Sequence, residues 1–395
     1  MITLLPSVLI LDGEQRSALA AARSLGSHGI DVTIASCRER PLAAASRYCQ
    51  NTLQLPSPAV DAAAYVNAIS NACGELGIHT ILPMTDASTM LVNALQLNDV
   101  KLACPPRQTY ESITRKDKLI QSAVQSDVPV PRTIFIYDAS HLGKIPQAFV
   151  GKVVIKPARS WYLEKNRLSS TAVMTAESPS VAIETIRSAP WFGAVPCLVQ
   201  EFIAGHGAGV CSLYDAKGSV CWFAHRRLRE KPPRGGVSVL CESVALDRQL
   251  REYSERLLDG VNWFGPAMVE FRISTDGTPY LMEINGRFWG SLQLSIDCGI
   301  DFPWLLYQIT HGNKVEVPQD YPVGRRLRWL LGDFDRLLLQ IRGKGDAKGL
   351  SEKINEIARF LSFFDSGARL EILRRNDMAP FRAEVAHWFR DLGSA

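Results

Sequence analysis

The feature that most constrains the fold is the stretch Gly265–Arg287, in which Asp276-Gly277 separates two runs of alternating apolar and polar residues. An Asp-Gly pair between alternating runs is the strongest short-range hairpin signal. With those two residues as the turn, Glu270 faces Glu283, Met268 faces Asn285 and Arg272 faces Leu281. The other face pairs Val269 with Ile284, Phe271 with Met282 and Ile273 with Tyr280, and reads as core. Carboxylates directly opposite each other on a sheet repel and weaken the pairing. With an amide oxygen one step along, they form a cluster of hard oxygen donors suited to Mg²⁺. The alternative is a solvated face with its acids in water, but Met268 and Leu281 make that face unlike free surface. The pattern predicts a divalent-metal site on a hairpin, held by Glu270, Glu283 and Asn285.

The chain of 395 residues is long enough for two or three packed units. Ser7–Gly13 reads as a buried strand, Arg16–His28 as a helix stopped by Gly29, and Ile30–Ala35 as a second strand. A helix near Asp61–Leu76 and a strand at Thr80–Pro83 continue this doubly wound pattern. Asp12-Gly13-Glu14 is not the glycine fingerprint of a dinucleotide site, which argues against an NAD-dependent oxidoreductase. Thr85-Asp86 falls at the carboxyl edge of the sheet, where open α/β sheets bind ligands. Asp86 as the cap of the following helix is an equal alternative. Cys104-Pro105-Pro106 ends this unit, giving a lead-in domain at 1–107.

Tyr110–Leu119 is a polar, basic helix start. Gly151–Pro157 is an apolar strand closing on Lys156, and a lysine buried there needs an anionic partner such as phosphate. Taken alone, Lys156 reads better as an ordinary strand-end lysine. Cys197–Ile203 is another apolar strand, ending on Gln200 and Glu201 before the glycine-rich Gly205–Gly209. His225–Gly236 is basic and hinged by prolines and glycines; it reads as a mobile lid over an anion, with a solvated loop as the alternative. Beyond Pro322 the chain is basic and helical, and its leucines and aromatics at helical spacing read as core.

In this order, the motifs resemble an ATP-grasp protein of the carboxylate–amine ligase kind, from about residue 5 to residue 315. The resemblance implies an α/β (α+β ATP-grasp) fold. It would comprise a Rossmann-like N-terminal domain, a two-part ATP-grasp domain at 108–203 and 204–318, and a helical C-terminal segment at 319–395. It implies ATP and Mg²⁺, with Mn²⁺ as the substitute metal. Lys118, with Lys116 as the second choice, and Lys156 would hold the α- and β-phosphates. Gln200, Glu201, Phe202 and Ile203 would receive the adenine, with Phe202 and Leu281 bordering the ring. Glu270, Glu283 and Asn285 would bind two metal ions, and Arg287 would stabilise the transferring phosphoryl group. The sequence departs from the family after Pro157. Many relatives have a glycine-rich loop there, whereas Ala158–Arg167 contains no glycine and offers Arg159 or Ser160 as donors.

The activity implied is ATP-dependent joining of a small carboxylate to a small amine through an acyl phosphate. Arg226, Arg229, Lys231 and Arg234 are the candidates for the carboxylate or acyl phosphate, and Asp12, Glu14 and Asp86 for the amine. Two rivals keep the nucleotide site: another acceptor (carboxylase, thiol ligase or kinase-like), and a nucleotide-binding protein without turnover. The complete set of lysines, acids and Arg287 argues against the second. A net charge of +4 calls for neither nucleic acid nor an anionic membrane. Nine scattered cysteines without a Cys-x-x-Cys pair indicate reduced thiols in a cytoplasm. The apolar Met1–Leu11 reads as a strand rather than a signal peptide, and no stretch is long enough to span a bilayer. A homodimer is the default assembly.

Overall fold

The computed structural model describes residues 6–95, 97, 99–233, 236–343, 345, 349–362 and 367–393. The first unit runs β1 (Val8–Ile10), α1 (Arg16–Ser27), β2 (Val32–Ser36), β3 (Asn51–Gln54), α2 (Ala62–Glu75), β4 (Thr80–Leu82), α3 (Asp86–Val92) and β5 (Lys101–Leu102). Its strands form a parallel sheet in the order β3-β2-β1-β4-β5. Val8–Leu11 is fully buried, as expected of a strand covered on both faces. Asp61 caps α2 by accepting from the Ala64 amide at 2.8 Å.

The second unit contains α4 (Arg107–Thr114), α5 (Lys116–Gln125), β6 (Thr133–Ile136), α6 (Ile145–Ala148), β7 (Val153–Pro157), β8 (Trp161–Glu164), β9 (Arg167–Ser170), β10 (Met174–Ala176), α7 (Pro179–Ser188) and β11 (Cys197–Glu201). Four of these strands make an antiparallel sheet, β10-β7-β11-β6. The glycine-free stretch after Pro157 is the β8–β9 hairpin. Its turn residues Lys165 and Asn166 both have positive φ (46° and 64°), the requirement of a tight two-residue turn. The hairpin is docked on the first unit. Asn166 accepts from the Ala62 amide at 2.9 Å and donates to Asp61 at 2.8 Å, while Leu168 joins the core beneath β1.

The third unit is a seven-stranded sheet built from β12 (Gly205–Asp215), β13 (Gly218–Lys231), β14 (Val237–Ser243), β15 (Gly265–Ser274), β16 (Pro279–Asn285), β17 (Arg326–Arg328) and β18 (Arg369–Leu370), in the order β16-β15-β12-β13-β14-β17-β18. Helices α8 (Arg248–Asp259), α9 (Leu292–Asp297) and α10 (Phe302–Thr310) pack around it. The C-terminal helices are α11 (Leu330–Ile341), α12 (Leu350–Leu361) and α13 (Ala379–Gly393), and β17 and β18 tie them to the sheet edge. The basic stretch after His225 is not a free lid. It forms the end of β13, hydrogen-bonded to β14, and its side chains find acids in the C-terminal segment. Arg229 bonds the buried Asp333 at 2.6 Å, and Lys231 pairs with Asp335. Arg234 lies outside the described residues.

The β15–β16 hairpin carries Glu270 opposite Glu283, Val269 opposite Ile284 and Met268 opposite Asn285, as its alternation predicts. Nearer the turn the register slips by one, so Phe271 faces Leu281 and Arg272 faces Tyr280. The cause is the turn, which has three residues rather than two. The Gly277 amide donates to the Ser274 carbonyl at 3.0 Å, the Ser274 amide donates to the Thr278 carbonyl at 2.9 Å, and Gly277 takes φ 89°. Asp276 favours this shape by accepting from the Thr278 amide at 2.9 Å. Met282 is the extra residue that restores register. Leu281 therefore turns into the core, fully buried against Phe271, and does not border the cleft as expected; Met282 takes that place.

At Gly205, with φ 150°, a Cβ would lie 1.9 Å from the Ile273 carbonyl oxygen, whereas at Gly209 nothing comes nearer than 3.7 Å. Gly205→Ala is expected to cost about 2 kcal/mol or more, because backbone must move to relieve the contact. Gly209→Ala should cost well under that. Chemical denaturation of both variants tests the pair, and equal losses would contradict the close approach at Gly205.

Candidate active site

The site is built where the hairpin meets the second unit. The facing of Glu270 and Glu283 follows from their register, and burial raises the Glu270 carboxyl above its ordinary range despite Arg227. His225, Gly209, Glu270 and Glu283 stand abreast on β13, β12, β15 and β16. Gly209 carries no side chain, which leaves the face open above it. Arg227, two residues beyond His225, reaches across and donates to both Glu270 oxygens at 3.1 Å. Both bonds come from the one nitrogen Nη2, and Nη1 donates to Glu230 at 3.1 Å. Arg227 was not singled out from the sequence. The strand period of two that puts it on the face of His225 was hidden while the stretch read as a loop.

From Glu270 the contacts run on toward the first unit. Asn285 Nδ2 donates to Glu270 Oε1 at 3.1 Å, and Arg287 Nη2 donates to Asn285 Oδ1 at 2.9 Å. Arg287 Nε donates to Asp86 Oδ2 at 3.1 Å, and the Tyr110 hydroxyl donates to Asp86 Oδ1 at 2.9 Å. Asp86 is free for this because Thr85, in a capping box with Ser88, caps α3. The carboxyl of Asp12 is turned inward, accepting from the Met84 amide at 3.1 Å and the Ser88 hydroxyl at 2.5 Å. Burial lifts its pKa to about 6.

Two lysines face the acids from the opposite wall. Lys156, on β7 and nine-tenths buried, donates to the Met282 carbonyl at 3.3 Å, a contact that the bulge creates. Burial pulls its pKa down to about 8, against the opposing pull of Glu283. Lys116, at the start of α5, lies 3.8 Å from Glu283 and donates to Ser160 Oγ at 3.2 Å. Lys118 is exposed, so Lys116 replaces it as the first lysine facing the cleft. The two differ by a half-turn of helix, and Asp117 between them is held by Arg115 at 2.5 Å.

A cavity of about 740 Å³ extends from Lys156 and Met282 past Gln200, Glu201, Phe202 and Ile203 to Arg226, Arg227 and Glu270. Gln200 Nε2 donates to Thr133 Oγ1 at 2.8 Å, while its buried Oε1 has no partner. Glu201 is turned to the Arg132 amide at 2.8 Å. Phe202 is 42% exposed. Arg226 bonds Glu242 at 3.1 Å, and Arg229 is committed to Asp333, so of this basic run it is Arg227 that touches the acid pair. The acceptor of Arg229 is a nearly inaccessible carboxylate, which marks it as a tie to the C-terminal segment rather than a substrate contact.

Among the described residues no three His, Cys, Asp or Glu side chains cluster as a metal site. The donor set at the hairpin is two carboxylates plus the Asn285 amide, and its chemistry fits a hard cation. Glu283, with 39% of its side chain exposed, leaves an open approach to the pair. No helix among the described residues is long and apolar enough to cross a membrane, and all nine cysteines are free.

A protein-family model described as "ATP-grasp in the biosynthetic pathway with Ter operon" matches residues 194–331, the span from β11 through the acid pair to β17. No curated protein sequence matches the chain. Solved structures match most of it. A biotin carboxylase–β-γ-ATP complex from Campylobacter jejuni superposes with a TM-score of 0.66 at 16% identity, covering 82% of this chain and 75% of that one. The biotin carboxylase domain of Hydrogenobacter thermophilus 2-oxoglutarate carboxylase, solved with MgADP, ADP and bicarbonate, gives 0.63 at 13% identity, covering 81% and 73%. An L-amino acid ligase from Bacillus licheniformis gives 0.57 at 17% identity, covering 78% and 75%. At these identities the likeness establishes a shared fold.

The lowered pKa of Lys156 sets a pH dependence. A triphosphate bound against Lys156 would favour the charged lysine, so nucleotide affinity should then be level below about pH 8 and fall by up to tenfold per pH unit above it. Titrating Mg-ATP from pH 7 to 9.5 tests this, with Lys156→Met expected to remove the step. Affinity that stays level through pH 9.5 would contradict it.

Proposed function

We propose that this chain is an ATP-grasp ligase that phosphorylates a substrate carboxylate with ATP and passes the acyl group to an amine; the family model over residues 194–331 and the shared fold support the reading. The observation that carries the reading is the facing of Lys116 and Lys156 against Glu270 and Glu283, with Asn285 and Arg287 continuing the line to a second cavity at Asp86. Cations and acids converging on one cleft suit a triphosphate with its metal, and Arg287 leads from there to an acceptor.

In this reading adenine enters the cavity at β11. The unpartnered Oε1 of Gln200 accepts from its exocyclic amine, and Phe202 and Met282 border the ring. Lys156 and Lys116 neutralise the phosphates. Glu270, Glu283 and Asn285 would hold Mg²⁺, which supplies charge neutralisation at the β- and γ-phosphates when bound. A carboxylate is a poor acyl donor because its leaving group is oxide. Attack of a carboxylate oxygen on the γ-phosphorus breaks the bond to ADP and turns that oxygen into a phosphate leaving group. The amine nitrogen then forms the C–N bond as phosphate departs. Arg287, aimed by Asp86 and Asn285, stabilises the phosphoryl oxygens through both transfers.

Product analysis with Mg-ATP and pooled small carboxylates and amines tests the reading. ADP and phosphate, dependent on both a carboxylate and an amine, are expected. AMP with pyrophosphate would overturn the acyl-phosphate route, and ADP that needs no amine would favour another acceptor. Glu283→Ala should lower turnover by about 10²-fold or more while leaving the protein folded; loss of folded protein would make the acid pair structural.

A further inference from the structure

The short segment that joins the first unit to the second carries two residues of the site. Lys116 opens α5 and faces Glu283. Tyr110, on the preceding helix α4, lines the same small cleft together with Asp86, Glu283 and Asn285. Its ring is buried and packs on Gly286, between Asn285 and Arg287; a Cβ at Gly286 would stand 3.2 Å from Tyr110 Cδ2. Among the described residues, both acceptors within reach of its hydroxyl belong to Asp86. They are Oδ1 at 2.9 Å and the main-chain carbonyl at 3.4 Å.

A guanidinium is a rigid fork of five N–H donors. In Arg287, Nε donates to Asp86 Oδ2 at 3.1 Å, Nη1 to the Phe288 carbonyl at 2.9 Å and Nη2 to Asn285 Oδ1 at 2.9 Å. Three of the five are engaged, which leaves one N–H on each Nη for a ligand. Asn285 and Phe288 are near neighbours of Arg287 in the chain, so Asp86 is the holder that comes from another unit. Asp86 can aim the fork only if its own carboxyl plane is fixed, because the last torsion of an aspartate is broad. The capping box of Thr85 and Ser88 relieves Asp86 of the helix terminus. Tyr110 then takes Oδ1 and leaves Oδ2 to the guanidinium.

We propose that Tyr110 is a positioning residue for phosphoryl transfer, acting through Asp86 to aim Arg287. The inference rests on the ligase reading, because it gives Tyr110 a part in that reaction. Packing alone does not account for a tyrosine here. The ring fills the space beside Gly286, and phenylalanine would fill it equally; only the bond to Asp86 needs the hydroxyl. Loss of that bond would leave no cavity, but it would free the carboxylate that holds Arg287 from the first unit. One segment therefore does two things as the units come together: α5 brings Lys116 to the acid pair, and α4 sets Arg287.

The test compares the full-length wild type with Y110F, D86N and Y110F/D86N. ADP release is followed over a range of Mg-ATP concentrations with the pooled carboxylates and amines, and affinity for β,γ-methylene-ATP is measured separately. Y110F should lower kcat by about tenfold, the weight of one hydrogen bond to a charged group. Its KM for Mg-ATP and its affinity for the analogue should stay at the wild-type values, which also reports that it is folded. D86N should lower kcat at least as far, and the double variant should be no slower than D86N, since Tyr110 acts through that residue. Labelling with p-hydroxyphenylglyoxal, mapped by mass spectrometry, needs no turnover; Arg287 should react several-fold faster in Y110F. The proposal is overturned if Y110F keeps the wild-type kcat, or if its analogue affinity falls in step with kcat or is lost with the fold. It is also overturned if the two substitutions multiply. The two readings fail separately. A wild type that forms AMP, or no ADP, would sink the acyl-phosphate route, and the labelling of Arg287 in Y110F would then decide this one: faster supports it, unchanged overturns it.

Discussion

The structure depends on two carboxylates that the fold forces to face each other. Glu270 and Glu283 are directly opposite on neighbouring strands, and their repulsion is offset by cations from three separate parts of the chain. Arg227 comes from β13 in the same sheet, Lys116 from α5 in the second unit, and Arg287, through Asn285, brings in Asp86 of the first unit. The Lys116 and Arg287 contacts join separate units, and the Arg227 contact joins strands of one sheet. Removing one member leaves a partly buried charge without its partner, which costs more than the pair contributes. The same convergence that stabilises the closed arrangement assembles the chemistry.

The C-terminal segment is held by a second network. Asp333, almost wholly buried, accepts from Arg229 at 2.6 Å and Arg328 at 2.7 Å, and Glu356 bonds Arg336 and Arg359. Arg23 on α1 reaches Asp377 at 2.8 Å, which ties the segment to the first unit. These bonds set α13 against the second cavity.

Much of this was legible in the sequence, and the gaps have physical causes. The acid pair and Asn285 follow from alternation, which local pattern fixes well, whereas Lys156 and Arg287 were singled out through the family resemblance. The inward turn of Leu281 did not follow, because Asp-Gly serves both a two-residue turn and the last two positions of a three-residue turn. The choice is made by Ser274 and Asp276 bonding around it. Lys116 rather than Lys118 faces the cleft because α5 starts at Lys116, and helix ends are poorly fixed by sequence. The basic run from His225 looked like a loop because its neutralising acids, Asp333 and Asp335, lie about a hundred residues away. Glu384 carries no local signal at all; its bond to the Trp329 indole depends on where Trp329 and α13 are brought together.

The central claim is that a carboxylate accepts the γ-phosphoryl group before any amine reacts. Positional isotope exchange tests it most directly. ATP carrying ¹⁸O at the β,γ-bridge is incubated with the enzyme, Mg²⁺ and pooled small carboxylates, with no amine present, and recovered ATP is examined by ³¹P NMR. Reversible phosphoryl transfer frees the β-phosphate of bound ADP to rotate, so the label should move from the bridge to a non-bridging β-oxygen only when carboxylates are added. Label that stays in the bridge, while the complete reaction turns over rapidly, would contradict the account.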